Sequence, residues 1–102
     1  MDNTKCIKIV QIGLPTCAPC FSLKAKAERW IKIKENEGVE IEYEYISADK
    51  NPAAAAAAGI FTVPAIIVYI DGNLTIKESG YFSFDLITEK LERYLYLRGE
   101  SD

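Results

Sequence analysis

Two cysteines separated by two residues, Cys17 and Cys20, stand in the segment "LPTCAPC" between Leu14 and Cys20. That spacing suits a redox-active dithiol, half of a metal knuckle, or an inert pair in a buried turn. An apolar run precedes the pair and a helix-period pattern follows it, so Cys17 falls at a helix N-terminus. The first turn of a helix has free N–H groups and a partial positive charge of roughly half an electron. Both favour a thiolate over a thiol. In such a setting a cysteine pKa falls by one to several units from about 8.5, and thiolate is the attacking species in thiol–disulfide exchange. Cys17 is then the attacking sulfur, and Cys20, one turn on, is the sulfur that resolves the mixed disulfide. Pro19 fixes φ for the helix start and has no N–H to leave unpaired there.

The alternatives are weighed on the same residues. A zinc site needs about four ligands, and the chain has no histidine and three cysteines in all. A self-contained Cys/His metal site therefore cannot be completed, and a cysteine–histidine catalytic pair is excluded. A static disulfide or an inert buried pair stays open at this stage. The third cysteine, Cys6, lies inside "KCIKIV" and reads as a small buried strand residue.

The elements that must position the dithiol follow from periodicity. Residues 6–13, "CIKIVQIG", are apolar on both faces and read as a central strand. From Pro19 the period changes. Leu23, Ala27, Trp30 and Ile31 share one helical face, while Lys24, Glu28 and Lys32 share a solvated one, with Asn36 and Gly38 as the stop. Residues 39–46 alternate strictly: Val39, Ile41, Tyr43 and Tyr45 on one face, Glu40, Glu42 and Glu44 on the other. This predicts a strand near a sheet edge. The glutamate row is read as a solvated face that discourages edge pairing. In "DKNPAAAAAAGI", Asp49 or Asn51 caps, Pro52 starts and Gly59 ends a short alanine helix that must dock on something. Residues 62–79 form two strands around Asp71-Gly72-Asn73. Ser83 to about Leu97 reads as an amphipathic helix with Leu86, Ile87, Leu91, Tyr94 and Leu95 on one face, ending before Gly99. The order is β-α-β-α-β-β-α, an α/β fold with a four-stranded mixed sheet and helices on both faces.

Composition narrows the function. The chain has 102 residues, 49 % of them aliphatic or aromatic, and a net charge of −3. It is expected to form one domain, residues 1–102, around a modest core. Nothing points to nucleic acid, which would need a clustered basic surface. The start, "MDNTKCIKIV", lacks a signal-peptide pattern, and no apolar run is long enough to span a bilayer. The expectation is a cytoplasmic monomer with no membrane partner.

The residues also carry a resemblance. "TCAPC" at a helix start, "NP" before a short helix, "GIFTVPAIIVYIDG" and Gly80 before the last helix resemble the thioredoxin-like family over nearly the whole chain. The most specific pieces are Cys-X-Pro-Cys and the Val63-Pro64 step. The resemblance implies a thioredoxin-like fold and a thiol–disulfide oxidoreductase that reduces protein disulfides. It needs no cofactor beyond the redox-active disulfide Cys17–Cys20, and an upstream disulfide reductase recharges it. It also implies a cis peptide before Pro64, and a Val63 backbone that pairs with an extended substrate. Thr16 and Ala18 flank Cys17 where thioredoxins usually have tryptophan and glycine, so they bear on partner choice. Gln11 occupies the place of a buried aspartate thought to help deprotonate the second thiol, and Tyr45 stands where that aspartate's lysine partner would be. Glutamine cannot take a proton at neutral pH, so a slower or differently timed release step is expected. The length suggests a core of glutaredoxin size, and a glutathione-linked reductase is the rival within the family. "SGYFSFD", with one glycine and the single Asp85, fits a glutathione clamp poorly. A non-catalytic binding module and a cluster carrier using the dithiol across a dimer are the readings from other classes.

Overall fold

The computed structural model describes residues 7–100, which leaves Cys6 and the reading made of it outside the described residues. In chain order the elements are β1 (Ile7–Gly13), α1 (Ala18–Asn36), β2 (Ile41–Ser47), α2 (Pro52–Ala57), β3 (Ala65–Ile70), β4 (Asn73–Ser79) and α3 (Phe84–Glu100). They form one four-stranded sheet in the order β2-β1-β3-β4. β1 runs parallel to β2 and antiparallel to β3, and β3 runs antiparallel to β4. The expected element order, the central place of β1 and the edge position of β2 all hold.

Strand alternation sorts the sheet into two faces. Ile7, Ile9, Ile66 and Val68 pack against Leu23, Ala27 and Ile31 of α1 and against Phe84, Ile87 and Leu91 of α3. Val10, Ile12, Ala65 and Ile67 pack against Ala55 and Ile60 on the opposite side. That second layer is thin because α2 has only 6 residues. Its ends are set locally: the Asn51 side chain accepts the Ala54 N–H at 3.3 Å, and Gly59 takes φ +73° where a side chain would be strained. The uncovered end of this face holds Lys8, whose Nζ lies 3.8 Å from Glu42 and 3.9 Å from Glu44. Two residues of the expected glutamate row therefore meet a lysine on the central strand.

Three boundaries differ from the sequence reading. Val39 lies outside β2, because its N–H closes the end of α1 on the Lys34 carbonyl at 3.0 Å. Thr62 to Pro64 form a loop before β3. The buried stripe of α3 is Phe84, Ile87 and Leu91, with Leu95 beside it, while Leu86 and Tyr94 are exposed. The helix also runs through Gly99 to Glu100. Ser83 fixes the phase of α3, since its hydroxyl accepts the Leu86 N–H at 3.3 Å. That brings Phe84 inward and turns Leu86 out.

Candidate active site: a dithiol at the start of the first helix

Cys17 is the N-cap of α1, with Ala18 and Pro19 following it into the first turn. Its sulfur is bonded to Cys20 across a Cα–Cα distance of 5.3 Å. The same sulfur accepts the Cys20 N–H at 3.1 Å. This is the free donor that a helix start offers, aimed at the atom that becomes a thiolate on reduction. The two sulfurs are unequal. Cys20 is completely buried, whereas Cys17 is partly exposed. An incoming disulfide can therefore reach only Cys17.

Gln11 lies directly behind the pair. It sits on the α1 face of β1 and is completely buried among isoleucines. A buried carboxamide left unpaired would cost about 1–3 kcal/mol. Here both halves are occupied: Nε2 donates to the Cys20 carbonyl oxygen at 2.9 Å, and Oε1 accepts the Tyr43 hydroxyl at 2.7 Å. Burial, with the negative charge of Glu28 and the neighbouring Tyr45 adding to it, pushes the Tyr43 hydroxyl well above the ordinary tyrosine range. It stays protonated and keeps donating. Tyr45 is opposite Gln11 in the β1–β2 register, yet the hydroxyl that meets Gln11 comes from Tyr43. Periodicity put both tyrosines on this face and gave no signal for which one would reach the glutamine.

Gly13 closes β1 beside Cys20. A Cβ there would collide with the Tyr45 hydroxyl and stand 3.0 Å from the Cys20 sulfur. Only glycine leaves room for both groups.

Pro64 follows a cis peptide bond with Val63. Its carbonyl accepts the Gly80 N–H at 2.9 Å, tying the loop before β3 to the loop before α3. Together with the start of α1 these loops border a groove of about 460 Å³, lined by Ala18, Pro19, Pro64, Tyr81, Phe82 and Phe84 among others. Three of the expected site residues, Ala18, Pro19 and Pro64, thus share one groove with the dithiol at its edge. The Val63 side chain packs instead on the Val10 and Ile12 side of the sheet. Its own N–H and C=O make no backbone hydrogen bond among the described residues. Thr16 is exposed on the loop before α1 and does not line the groove. Tyr81 and Phe82 were not singled out in the sequence, where only Gly80 marked this loop. Among the described residues, no cluster of three or more His, Cys, Asp or Glu side chains could hold a metal ion.

The fold is thioredoxin-like, with a Cys-X-X-Cys disulfide at the start of its first long helix. Comparison with known proteins agrees. The chain is 27 % identical over 92 residues to the thioredoxin-like protein YdfQ of Bacillus subtilis, covering 89 % of this chain and 79 % of that one. Thioredoxin 1 of Thermosipho africanus superposes with a TM-score of 0.74 at 26 % identity, over 90 % of this chain and 98 % of its own. Fasciola hepatica thioredoxin gives 0.71 at 24 % identity over 88 % and 82 %, a likeness of fold. No family model matches the sequence. At the level of the family, these likenesses and the disulfide support thiol–disulfide oxidoreductase chemistry.

Proposed function

We propose that this chain reduces protein disulfides through Cys17 and Cys20. The observation that carries the reading is the asymmetry of the pair: a partly exposed cysteine at a helix N-cap, bonded to a fully buried partner. In the reduced chain the Cys17 thiolate attacks one sulfur of a substrate disulfide. A Cys17–substrate bond forms and the other substrate sulfur leaves as a thiolate, which takes a proton from solvent. Cys20 then loses its proton and attacks the Cys17 sulfur. The Cys17–Cys20 bond forms and the second substrate thiolate departs. The substrate gains two electrons and the dithiol loses them. An upstream disulfide reductase returns them, and no cofactor beyond the cysteine pair takes part.

The groove beside Pro64 suits an extended polypeptide, with the unpaired backbone of Val63 available for strand-like pairing. We place the protein as a monomer in the cytoplasm, where dithiols are kept reduced, without a nucleic-acid or membrane partner. Among the described residues no helix is long and apolar enough to cross a membrane.

The test is reduction of insulin-type disulfides with dithiothreitol as electron source. The parent should turn over and Cys17→Ser should be inactive. Cys20→Ser should stall as a covalent Cys17–substrate adduct visible by mass spectrometry. A parent without activity, or activity unchanged in Cys17→Ser, would leave a non-catalytic binding module as the better account.

A further inference from the structure

Resting on the dithiol reading, we infer that Tyr45 takes over part of the work of a buried acid: in the reduced chain its hydroxyl donates a hydrogen bond to the Cys20 sulfur. Gln11 is turned to other groups: its Nε2 donates to the Cys20 carbonyl and its Oε1 accepts the Tyr43 hydroxyl. Tyr43 is likewise committed, at 2.7 Å from Gln11. The Tyr45 hydroxyl has no hydrogen-bond partner among the described residues. It reaches the space that a Cβ on Gly13 would fill, and the Cys20 sulfur lies 3.0 Å from that same point. In the disulfide the Cys20 sulfur is a weak acceptor; on reduction the bond to Cys17 is gone, and as a thiolate it becomes a much stronger one.

Other groups hold the tyrosine in place without competing for the sulfur. Lys24, one turn beyond Cys20 on α1, has its Nζ 5.8 Å from the centre of the Tyr45 ring and is paired with Glu28 at 3.0 Å. The titratable and charged groups around Cys20 are therefore Cys17, Lys24 and Glu28 on its own side and Tyr43 and Tyr45 on β2. A donor to a thiolate favours the charged form and lowers the thiol pKa. When Cys20 is called on to release substrate, its proton goes to solvent and the Tyr45 O–H stabilises the sulfur that attacks Cys17. The Tyr45 O–H donates a hydrogen bond without giving up its proton in the step, so no proton is left unaccounted for.

The decisive variant is Tyr45→Phe, which keeps the ring under Lys24 and removes one oxygen. In a Cys17→Ser background, the Cβ chemical shift of isotope-labelled Cys20 reports its titration directly. The expected result is a Cys20 midpoint higher by about one pH unit, a roughly tenfold loss of thiolate at neutral pH. With both cysteines present, release from the Cys17–substrate adduct should slow by a similar factor while the first attack is unchanged. Tyr43→Phe serves as the contrast: it should lower the unfolding midpoint and move the Cys20 titration far less. Superimposable Cys20 titrations in parent and Tyr45→Phe overturn the inference, as does an equal shift from Tyr43→Phe. Because the titration needs no substrate, a shifted midpoint with no insulin reduction would sustain the Tyr45 role and remove the proposed function instead.

Discussion

Gln11 stands in an apolar layer with both ends of its side chain engaged, and that explains how a neutral residue occupies this place. Its amide fixes the carbonyl of Cys20, and Tyr43 fixes the amide. Gln11→Asp would put an ionisable group where an N–H meets that carbonyl. Burial pushes such a carboxyl above its ordinary value of about 3.9. A carboxyl whose folded-state pKa is raised binds its proton more tightly in the folded chain. Relative to the parent, the variant should therefore lose least stability near about pH 4 and more as pH rises through the folded-state value. Denaturant midpoints at about pH 4 and about pH 7.5 measure this. The same variant should add an ionisation to the pH profile of disulfide reduction. A profile identical to the parent's would show that position 11 is uncoupled from the release step.

Helices α1 and α3 are joined by more than their apolar stripes. Lys34, buried on α1, donates to Glu37 at 2.9 Å and to Glu92 of α3 at 2.7 Å. Trp30 Nε1 donates to the other oxygen of Glu92 at 3.2 Å. Burial alone would lower the Lys34 pKa, but the hydrogen bonds and charges of Glu92 and Glu37 outweigh it and hold it above the ordinary 10.5. Glu92→Gln keeps the shape and removes one charge. Because Glu92 is about half-exposed, the expected loss is only about 1 kcal/mol, read from the unfolding midpoint at neutral pH. The pH dependence has a definite sign. Lys34 has a raised folded-state pKa, so its contribution is full below the unfolded value of 10.5 and is lost as pH rises through the folded one. Tyr43, also raised, acts in the same direction. Stability should hold through neutral pH and fall above about pH 10, with Glu92→Gln showing the smaller alkaline loss.

The groove exists only when the whole chain is folded, since it takes one wall each from the start of α1, the loop before β3 and the loop before α3. Tyr81 contributes to it while remaining fully exposed, so it carries no core packing. Tyr81→Ala should leave the unfolding midpoint within about 0.5 kcal/mol of the parent. It should lower kcat/KM for a protein disulfide several-fold and leave the rate with a small soluble disulfide unchanged. An equal loss on both substrates would show that Tyr81 acts on the dithiol and not on polypeptide in the groove.

Local pattern alone fixed much of this protein. The alternation of residues 41–46, the helical period after Pro19, the Asn51-Pro52 start and the Asp71-Gly72 turn are short-range signals, because backbone geometry acts over a few residues. The pair Cys17/Cys20, the cis Pro64 and the place of Gln11 behind the dithiol were legible from motif and resemblance. Tertiary structure decided the rest, because those contacts join residues that the chain brings together only on folding. It chose Tyr43 over Tyr45 as the partner of Gln11, across 32 residues of sequence. It joined Lys34 to Glu92 across 58, turned Leu86 outward in favour of Phe84, and set Tyr81 and Phe82 beside Pro64. It also left the Tyr45 hydroxyl and the Cys20 sulfur facing the one point where Gly13 has no side chain. Side-chain reach and strand register settle such contacts, and neither is written in the period of a single segment.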